Sequence, residues 1–385
     1  MTRNLVGPPV IGNDFIGRKK ELEEAWKSLK DGNSILLASP RRVGKSSFAR
    51  KLLAIAEENG WQGIYMDVQG LRDEPEFGEL LIRSLEKIYG NGRLLGKIRQ
   101  EMRDSLSSLK SLQLSKLQVE FKRSPENFYT KLEKAIESDQ KYLIVVDELV
   151  LFLQKLSTDT SYERAEDFLN WLRSLRQKMS DRVSWIFCSS ISIHNFVSSR
   201  GLSYTLNDIS SFRLGAMGEQ EARLLLTRLN ESYNHCIEDN DIDYILQRME
   251  WKLPFFIQQY FMFYSRDSEE YKNRDIADVT DTIFHEMAND RQMLTWSERL
   301  SGYGKDAKAA KCLLSYLCIP DHKSSRAHLE SVISDQIPSD EDLSERYSTV
   351  KQMLEDDGYI IQEPTGEIHF RSPIIQEFWI NRYLK

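Results

Sequence analysis

The chain has 385 residues, of which 41% are hydrophobic and 29% are charged, and its formal net charge is −7 at pH 7. This length suits two or three domains, and the composition excludes an intrinsically disordered chain. The excess of acidic residues argues against nucleic-acid binding over the whole surface of the chain. It does not exclude a local basic surface.

Four short apolar runs predict strands in the first part of the chain. They lie at residues 34–39, 63–68, 142–147 and 183–189. Helical patterns separate them, and continuous apolar strands separated by helices are typical of a parallel sheet covered on both faces. We therefore predict a doubly wound α/β domain over residues 1–215.

The first predicted strand leads into a loop whose pattern is typical of phosphate binding. The pattern consists of Gly, any four residues, and then Gly-Lys-Ser or Gly-Lys-Thr. This sequence matches it at every position except the first glycine, which is replaced by Ser39. Gly44 lets backbone N–H groups point at phosphates, Lys45 supplies charge to the β- and γ-phosphates, and the Ser46 hydroxyl can bind Mg²⁺. The predicted phosphate-binding residues are Pro40, Arg41, Arg42, Val43, Gly44, Lys45, Ser46 and Ser47.

This loop predicts a nucleoside triphosphate as ligand. A guanine-reading Asn-Lys-x-Asp element is absent near the predicted strand ends, which favours ATP over GTP. Ser39 in place of glycine leaves open whether hydrolysis is fast, slow or absent.

A long charged stretch separates the second and third strands. Helical spacing occurs at residues 80–88, 94–109 and 128–136, and residues 112–121 partly alternate, as in a short strand or hairpin. We interpret this stretch as an elaboration of the α/β domain.

The third predicted strand ends in the carboxylates Asp147 and Glu148. At the carboxyl end of a parallel strand, Asp147 is expected to share the Mg²⁺ shell with Ser46, and Glu148 to orient or deprotonate the attacking water. After the fourth strand, Ser190 is a candidate for reading the γ-phosphate, and a plain strand-ending turn is the alternative. The predicted catalytic set is Lys45, Asp147, Glu148 and Ser190.

The remainder of the chain is predicted to be mainly helical. Helical patterns lie at residues 219–229, 244–249, 255–264, 307–318 and 343–356, and short strands lie at 358–362 and 367–370. Three helices followed by a two-stranded hairpin are typical of a winged helix. We predict a helical lid over residues 216–300 and a winged-helix domain over residues 301–385.

The four cysteines form no CxxC pair or zinc-site spacing, so buried reduced thiols are expected. The first residues lack the apolar core of a signal peptide, and the longest apolar runs are too short to span a bilayer. A cytoplasmic protein without membrane contact is expected.

The motifs together resemble those of the STAND/AAA+ P-loop ATPases, in particular the archaeal- and bacterial-type ATPase family. Residues 15–22 resemble the family's F-x-G-R-x-x-E-L motif, and residues 40–46 resemble its G-P-R-R-x-G-K-[ST] loop, from which Ser39 departs at the first glycine. Residues 172–176 resemble its L-R-x-L-R helix. Near the C-terminus, residues 357–360 and 370–373 resemble its D-G-Y and F-R-S-P segments.

The resemblance implies an ATP- and Mg²⁺-dependent switch whose lid and winged helix respond to the nucleotide. Gly17 and Arg18 would pack near the adenine, Pro254 would belong to an element that contacts the base, and Arg371 would make contacts that differ between open and closed states. The implied partner is a protein, plausibly a co-encoded effector in signalling or defence.

Two alternatives stay open. One is a DNA-associated AAA+ ATPase like the regulators of origin recognition or transposition, although the acidic balance of helix 343–356 disfavours it. The other is a nucleotide-dependent interaction module without hydrolysis. Nucleotide-driven oligomerisation is a further expectation. Arg173, Arg176 and Arg200 are candidates by position for an arginine acting in trans, although the favoured interpretation of each is a solvated helix or loop residue.

Overall fold

The computed structural model describes residues 2–89, 125–136, 140–157, 161–189, 192–234, 237–322 and 325–385. The predicted elements at 94–109 and 112–121 and the candidate Ser190 lie outside the described residues. The chain divides into two compact units. One, the sheet unit, comprises Lys19–Ala38 and Lys45–Leu214, and the other, the helical unit, comprises Met1–Arg18, Ser39–Gly44 and Gly215–Lys385.

The sheet unit contains a five-stranded parallel sheet in the order β2-β3-β4-β1-β5. Its strands are β1 (Ser34–Ala38), β2 (Gln62–Asp67), β3 (Tyr142–Asp147), β4 (Val183–Ser189) and β5 (Ile209–Phe212). The predicted parallel sheet is confirmed, and four of its strands coincide with the predicted apolar runs. The prediction missed β5, because its sequence ISSF carries two serines and forms no apolar run.

Helices of the sheet unit bury both faces of the sheet. They are α1 (Lys19–Lys30), α2 (Lys45–Glu58), α3 (Glu74–Tyr89), α4 (Pro125–Ile136), α5 (Leu149–Leu156), α6 (Glu163–Lys178) and α7 (Ser192–Ser198). Leu36, Ile144 and Phe187 face one core together with α3 to α7. The alternate residues Ile35 and Val145 are equally buried, and helices α1 and α2 contact the strands. This two-sided burial explains why the strands read as continuous apolar runs.

Helix α2 follows directly from the predicted phosphate loop. Phe48, Leu52 and Ala56 recur at four-residue spacing and are completely buried, so one face of the helix packs into the core. Gly60 ends the helix with a φ of 79°, a left-handed conformation that glycine adopts without steric cost. The following N–H, of Trp61, closes the last turn on the carbonyl of Ala56.

The helical unit contains ten α-helices among the residues described, besides short 3-10 turns. They are α8 (Glu219–Ser232), α9 (Asp239–Met249), α10 (Pro254–Arg266), α11 (Ser268–Tyr271), α12 (Ile276–Asn289), α13 (Leu294–Arg299), α14 (Ala307–Leu317), α15 (Arg326–Ile333), α16 (Leu343–Asp357) and α17 (Pro373–Tyr383). Over the described parts of the chain, no helix combines the length and the apolar character that a membrane crossing requires. The division into domains at residues 215 and 300 stays a prediction.

An antiparallel hairpin of β6 (Ile360–Gln362) and β7 (Ile368–Phe370) follows the helices α14, α15 and α16. Asp342 caps α16 by accepting the N–H of Glu345 at 2.7 Å. Gly358 ends the helix with a φ of 83°, which turns the chain into β6. Helix α17, which the sequence reading did not include, begins at Pro373 after the hairpin.

A buried ion pair stabilises the helical unit. The guanidinium of Arg299 donates to the carboxylate of Asp357, and their side chains are 8% and 5% exposed. The Tyr303 hydroxyl donates to the same carboxylate at 2.9 Å. Removing one member would leave an uncompensated charge in the interior, which costs far more than losing a surface pair.

We predict that Asp357→Asn lowers the free energy of unfolding by about 3 kcal/mol or more, because the Arg299 charge stays buried without its counter-ion. Chemical denaturation followed by circular dichroism measures this change. The matched control is Glu270→Gln, which breaks the exposed pair with Arg274 and should cost less than about 1 kcal/mol. Equal effects of the two substitutions would contradict the prediction.

Candidate functional site

The carboxyl ends of the central strands meet at one edge of the sheet. Strand pairing sets Ala38 beside Ser189, and it sets Asp147 beside both Cys188 and Asp67. In open α/β sheets this edge is where ligands bind. The predicted loop leaves β1 here, and the predicted acidic pair leaves β3 here.

The predicted phosphate loop contains two residues in left-handed backbone conformations. Arg42 and Gly44 have φ values of 66° and 97°. A side chain at position 44 would meet nothing within 4 Å, so glycine is favoured there by conformation and not by lack of space. Ser39 is completely buried where β1 ends, and a small residue fits this place. Helix α2 then begins at Lys45, so the N–H groups of its first turn are available to an anion.

The Asp147 carboxylate is held on both oxygens. Its Oδ2 accepts the Ser46 hydroxyl at 2.7 Å and also the hydroxyl of Tyr65. Its Oδ1 accepts the backbone N–H of Glu148 at 3.0 Å. Ser46 and Asp147 are 101 residues apart in sequence, and the structure brings their side chains together.

Ser46 and Asp147 fit the ligand preference of Mg²⁺. The ion takes oxygen ligands and is usually held by one or two carboxylates together with substrate phosphates. Within the described ranges, no cluster of three or more His, Cys, Asp or Glu side chains could hold a metal. The Ser46 hydroxyl and the Asp147 carboxylate are the two oxygen groups of the predicted metal site that the structure brings into contact at this edge.

Glu148 lies at the start of α5 in a left-handed conformation, with φ 61° and ψ 38°. Such a conformation is uncommon for a residue with a side chain, and strained residues of this kind concentrate at functional sites. The side chain of Glu148 is half-buried. Folding alone does not favour a glutamate in this conformation, so the residue type at position 148 calls for a reason other than stability.

The end of β4 contributes a buried thiol and a buried hydroxyl. Burial raises the pKa of the Cys188 thiol, the charges of Asp147 and Glu148 raise this pKa further, and Lys45 opposes them. The charges of Lys45, Asp147 and Glu148 are therefore all close enough to affect the Cys188 thiol. Ser189 is fully buried, and its hydroxyl has no hydrogen-bond partner among the residues that the structure describes.

Tyr65 was missed by the sequence reading. It lies in β2, two residues before the strand ends, and its role depends on the register between β2 and β3. Burial raises the pKa of the Tyr65 hydroxyl, and the bond to Asp147 raises it further, so the hydroxyl remains a donor. Asp67, at the end of the same strand, accepts the N–H of Gln69 at 3.0 Å in a local turn.

Arg18 makes hydrogen bonds within the helical unit. Its guanidinium donates to the carbonyls of Gly215 at 2.7 Å and Ala216 at 3.2 Å, and its N–H donates to the carboxylate of Glu221. Gly17 has a φ of 78° and lies against the Glu221 side chain. These contacts give both residues a structural role, and their predicted packing near adenine stays untested.

The two arginines of the predicted loop also have neighbours in the helical unit. The Arg42 guanidinium stacks on the Phe255 ring, 4.3 Å from its centroid. Burial lowers the pKa of Arg42, the charge of Arg41 lowers it further, and Asp290 opposes them. Arg41 is also close enough to influence the buried Tyr359 hydroxyl electrostatically.

Pro254 occupies the first position of α10, where its fixed φ suits a helix start. The turn before it contains Glu250 at φ 56° and ψ −66°, a strained conformation outside the usual regions. This turn directs Trp251 against Gly358, where any side chain would overlap the indole ring. The Arg371 guanidinium lies over the same indole, 5.4 Å from its centroid.

Arg176, a candidate for an arginine acting in trans, lies in a different environment from the one predicted. Arg176 was expected to be either such an arginine or a solvated residue, but it is only 4% exposed. Its guanidinium donates to Asp208 at 2.8 and 3.0 Å and to the carbonyl of Thr205 at 2.7 Å. Arg200 bonds the carbonyl of Phe196, and Arg173 lies over the Tyr204 ring.

Comparisons with known proteins support the fold. No protein-family model matches the chain, and no curated protein sequence matches it. A Walker-type ATPase of Pyrococcus abyssi superposes over 98% of this chain and 99% of its own, with a TM-score of 0.65 and 17% identity. The ORC2 protein of Aeropyrum pernix, in ADPNP and ADP complexes, superposes over 99% and 97%, with a TM-score of 0.54 and 14% identity.

This chain has the fold of the Walker-type P-loop ATPases. Ser46 and Asp147 lie at the carboxyl edge of its sheet, the edge where ligands bind in open α/β folds.

We predict that Gly17→Ala lowers the free energy of unfolding by about 2 to 4 kcal/mol, since it adds left-handed strain and pushes a Cβ to 2.8 Å from Glu221. Thermal and urea denaturation measure this change. The matched control is Gly12→Ala, where φ is 60° and nothing lies within 4 Å of the added Cβ. It should cost only about 1 kcal/mol of strain, and a cost equal to that of Gly17→Ala would refute the contact argument.

Proposed function

We propose that this protein binds ATP with Mg²⁺ and hydrolyses it slowly, and that nucleotide binding switches its interaction with a protein partner. The observation that carries the proposal is the 2.7 Å contact between Ser46, in the first turn of α2, and Asp147, at the end of β3. Their convergence suits a shared metal.

Each residue of the site has a role in this proposal. The N–H groups that follow Pro40 and the first turn of α2 hold the phosphates, and the Lys45 ammonium pairs with the β- and γ-phosphates. Ser46 and Asp147 hold Mg²⁺, which neutralises phosphate charge when it is bound. Glu148 orients the attacking water and accepts its proton. Ser190, which follows β4 and lies outside the described residues, remains the candidate for reading the γ-phosphate.

We predict that Glu148→Gln lowers ATP turnover at least a hundredfold while ATP affinity stays within about threefold, because the amide keeps the shape but cannot accept a proton. Lys45→Ala should instead abolish binding. Phosphate release and calorimetry with Mg²⁺ and ATP measure these effects. Equal turnover in wild type and Glu148→Gln would refute the assignment. Binding without any turnover in the wild type would favour the non-hydrolysing interaction module.

The switch part of the proposal rests on contacts of the loop arginines. Within the helical unit, Arg42 stacks on Phe255 at the start of α10, and Trp251, just before it, holds Gly358 and Arg371. We propose that residues 216–300 form a lid and that residues 301–385 form a winged helix, with β6 and β7 as the wing. A nucleotide that repositions Arg42 would alter the Phe255 contact, and thereby the turn that carries Trp251.

We predict that ATP changes the susceptibility of the segment around Trp251 to limited proteolysis, and that Arg42→Ala loses this change. The variant should still bind ATP within about tenfold of wild type, since Lys45 and the loop amides remain. The control is Arg248→Ala, which removes an exposed pair with Asp281 and should respond like wild type. An unchanged response of Arg42→Ala would exclude Arg42 as the link.

The DNA-associated alternative gains no support from helix α16. Its basic side chains are paired with carboxylates, Arg346 with Asp306 and Glu341, and Lys351 with Glu355 at 3.0 Å. Paired charges release fewer counter-ions and bind phosphates weakly. A protein partner, plausibly co-encoded, is therefore the proposed target, and nucleotide-driven oligomerisation is part of the same proposal.

A further inference from the structure

The Tyr65 hydroxyl belongs to no motif, yet it contacts the most constrained carboxylate of the site. It donates to Oδ2 of Asp147, the same oxygen that accepts the Ser46 hydroxyl. Tyr65 comes from β2, Asp147 from β3 and Ser46 from α2. Three separate elements of the sheet unit therefore meet at one oxygen atom.

The Tyr65 ring is itself held in place. The Arg50 guanidinium stacks on it, 3.9 Å from the ring centroid. Arg50 is four residues after Ser46 on α2, so one helix presents both side chains on the same face. The Nε of Arg50 is buried without a hydrogen-bond acceptor among the described residues, so stacking is the contact that positions this edge of the guanidinium.

The bonds to Asp147 fix its rotation. Oδ1 takes the N–H of Glu148, and Oδ2 takes both hydroxyls, so that turning the carboxylate would break bonds on both sides. Side chains that hydrogen-bond a metal ligand orient it and tune its affinity, and their loss typically weakens metal binding by about 10- to 100-fold. The Tyr65 hydroxyl is the side-chain donor to Asp147 that comes from outside α2.

We propose that Tyr65 is a positioning residue for the metal site, holding the Asp147 carboxylate in the orientation that Mg²⁺–nucleotide requires. This inference rests on the proposed function. Tyr65 itself does not contact the metal or the nucleotide, and it acts through Asp147. Arg50 supports it by clamping the ring from the helix that also carries Ser46.

A purely structural role for Tyr65 makes a different prediction. If the hydroxyl only satisfied a buried polar group, its removal would lower stability whether or not metal is present. A positioning role changes the metal dependence of nucleotide binding and leaves metal-free binding unaltered. The Mg²⁺ dependence therefore separates the two roles.

The test is Tyr65→Phe, which removes the hydroxyl and keeps the ring under Arg50. A fluorescent ATP analogue is titrated onto the protein at a series of Mg²⁺ concentrations, and Mn²⁺ binding to the ADP complex is followed by electron paramagnetic resonance. We expect the half-saturating Mg²⁺ concentration to rise roughly tenfold, with a parallel loss of Mn²⁺ affinity. Nucleotide binding in EDTA should be unchanged.

The matched control is Tyr260→Phe, which removes a buried hydroxyl bonded to Thr280 in the helical unit and should leave the Mg²⁺ dependence unaltered. A wild-type Mg²⁺ dependence of Tyr65→Phe overturns the inference and leaves the proposed function intact. Wild-type protein that binds nucleotide without any response to Mg²⁺ overturns the proposed function itself.

Arg50→Met decides the question if Tyr65→Phe does not fold. It keeps the hydroxyl but releases the ring, so a smaller rise in the half-saturating Mg²⁺ concentration, of roughly threefold, is expected. A dependence equal to that of wild type in Arg50→Met would then count against the inference.

Discussion

The hydrogen bonds to the Asp147 carboxylate are the constraint on which the candidate site depends. They tie the end of β3 to the first turn of α2 through Ser46 and to β2 through Tyr65. The side chain is only 6% exposed, so a misplaced carboxylate would leave a buried charge without partners. The same bonds thus stabilise the edge of the sheet and arrange the groups proposed to hold a metal and a polyphosphate.

The sequence was sufficient for those parts of the fold that depend on local patterns. Continuous apolar runs predicted β1 to β4, and the loop before Lys45 and the carboxylates at the end of β3 define a candidate site whose function stays a prediction. The edge strand β5 could not be predicted, because two of its four residues are serines and its pairing with β1 is a tertiary contact. Strand pairing of this kind overrides weak propensity.

The residues that the sequence could not assign are those whose role comes from partners far along the chain. Nothing local distinguishes Tyr65 from other strand tyrosines, since its partner is 82 residues away. Arg176 follows the pattern of an exposed helix, yet it is buried against Asp208. The Arg42 guanidinium reaches Phe255 across more than two hundred residues. Motif reading identifies residue types, and only the folded chain identifies their neighbours.

The left-handed backbone at Glu148 has a consequence for how proteins of this fold can diverge. Asparagine, aspartate and glycine enter that region more readily than glutamate does, so a descendant could exchange the residue at no cost in stability, or even with a gain. A descendant with asparagine or glycine there would keep the sheet, the loop and the oxygens proposed to hold an ion but would lack the carboxylate proposed to accept a proton. Superposing its backbone on that of a protein with the glutamate would not reveal the difference. The residue at position 148 would then identify the proteins of this fold that have lost the proposed proton acceptor.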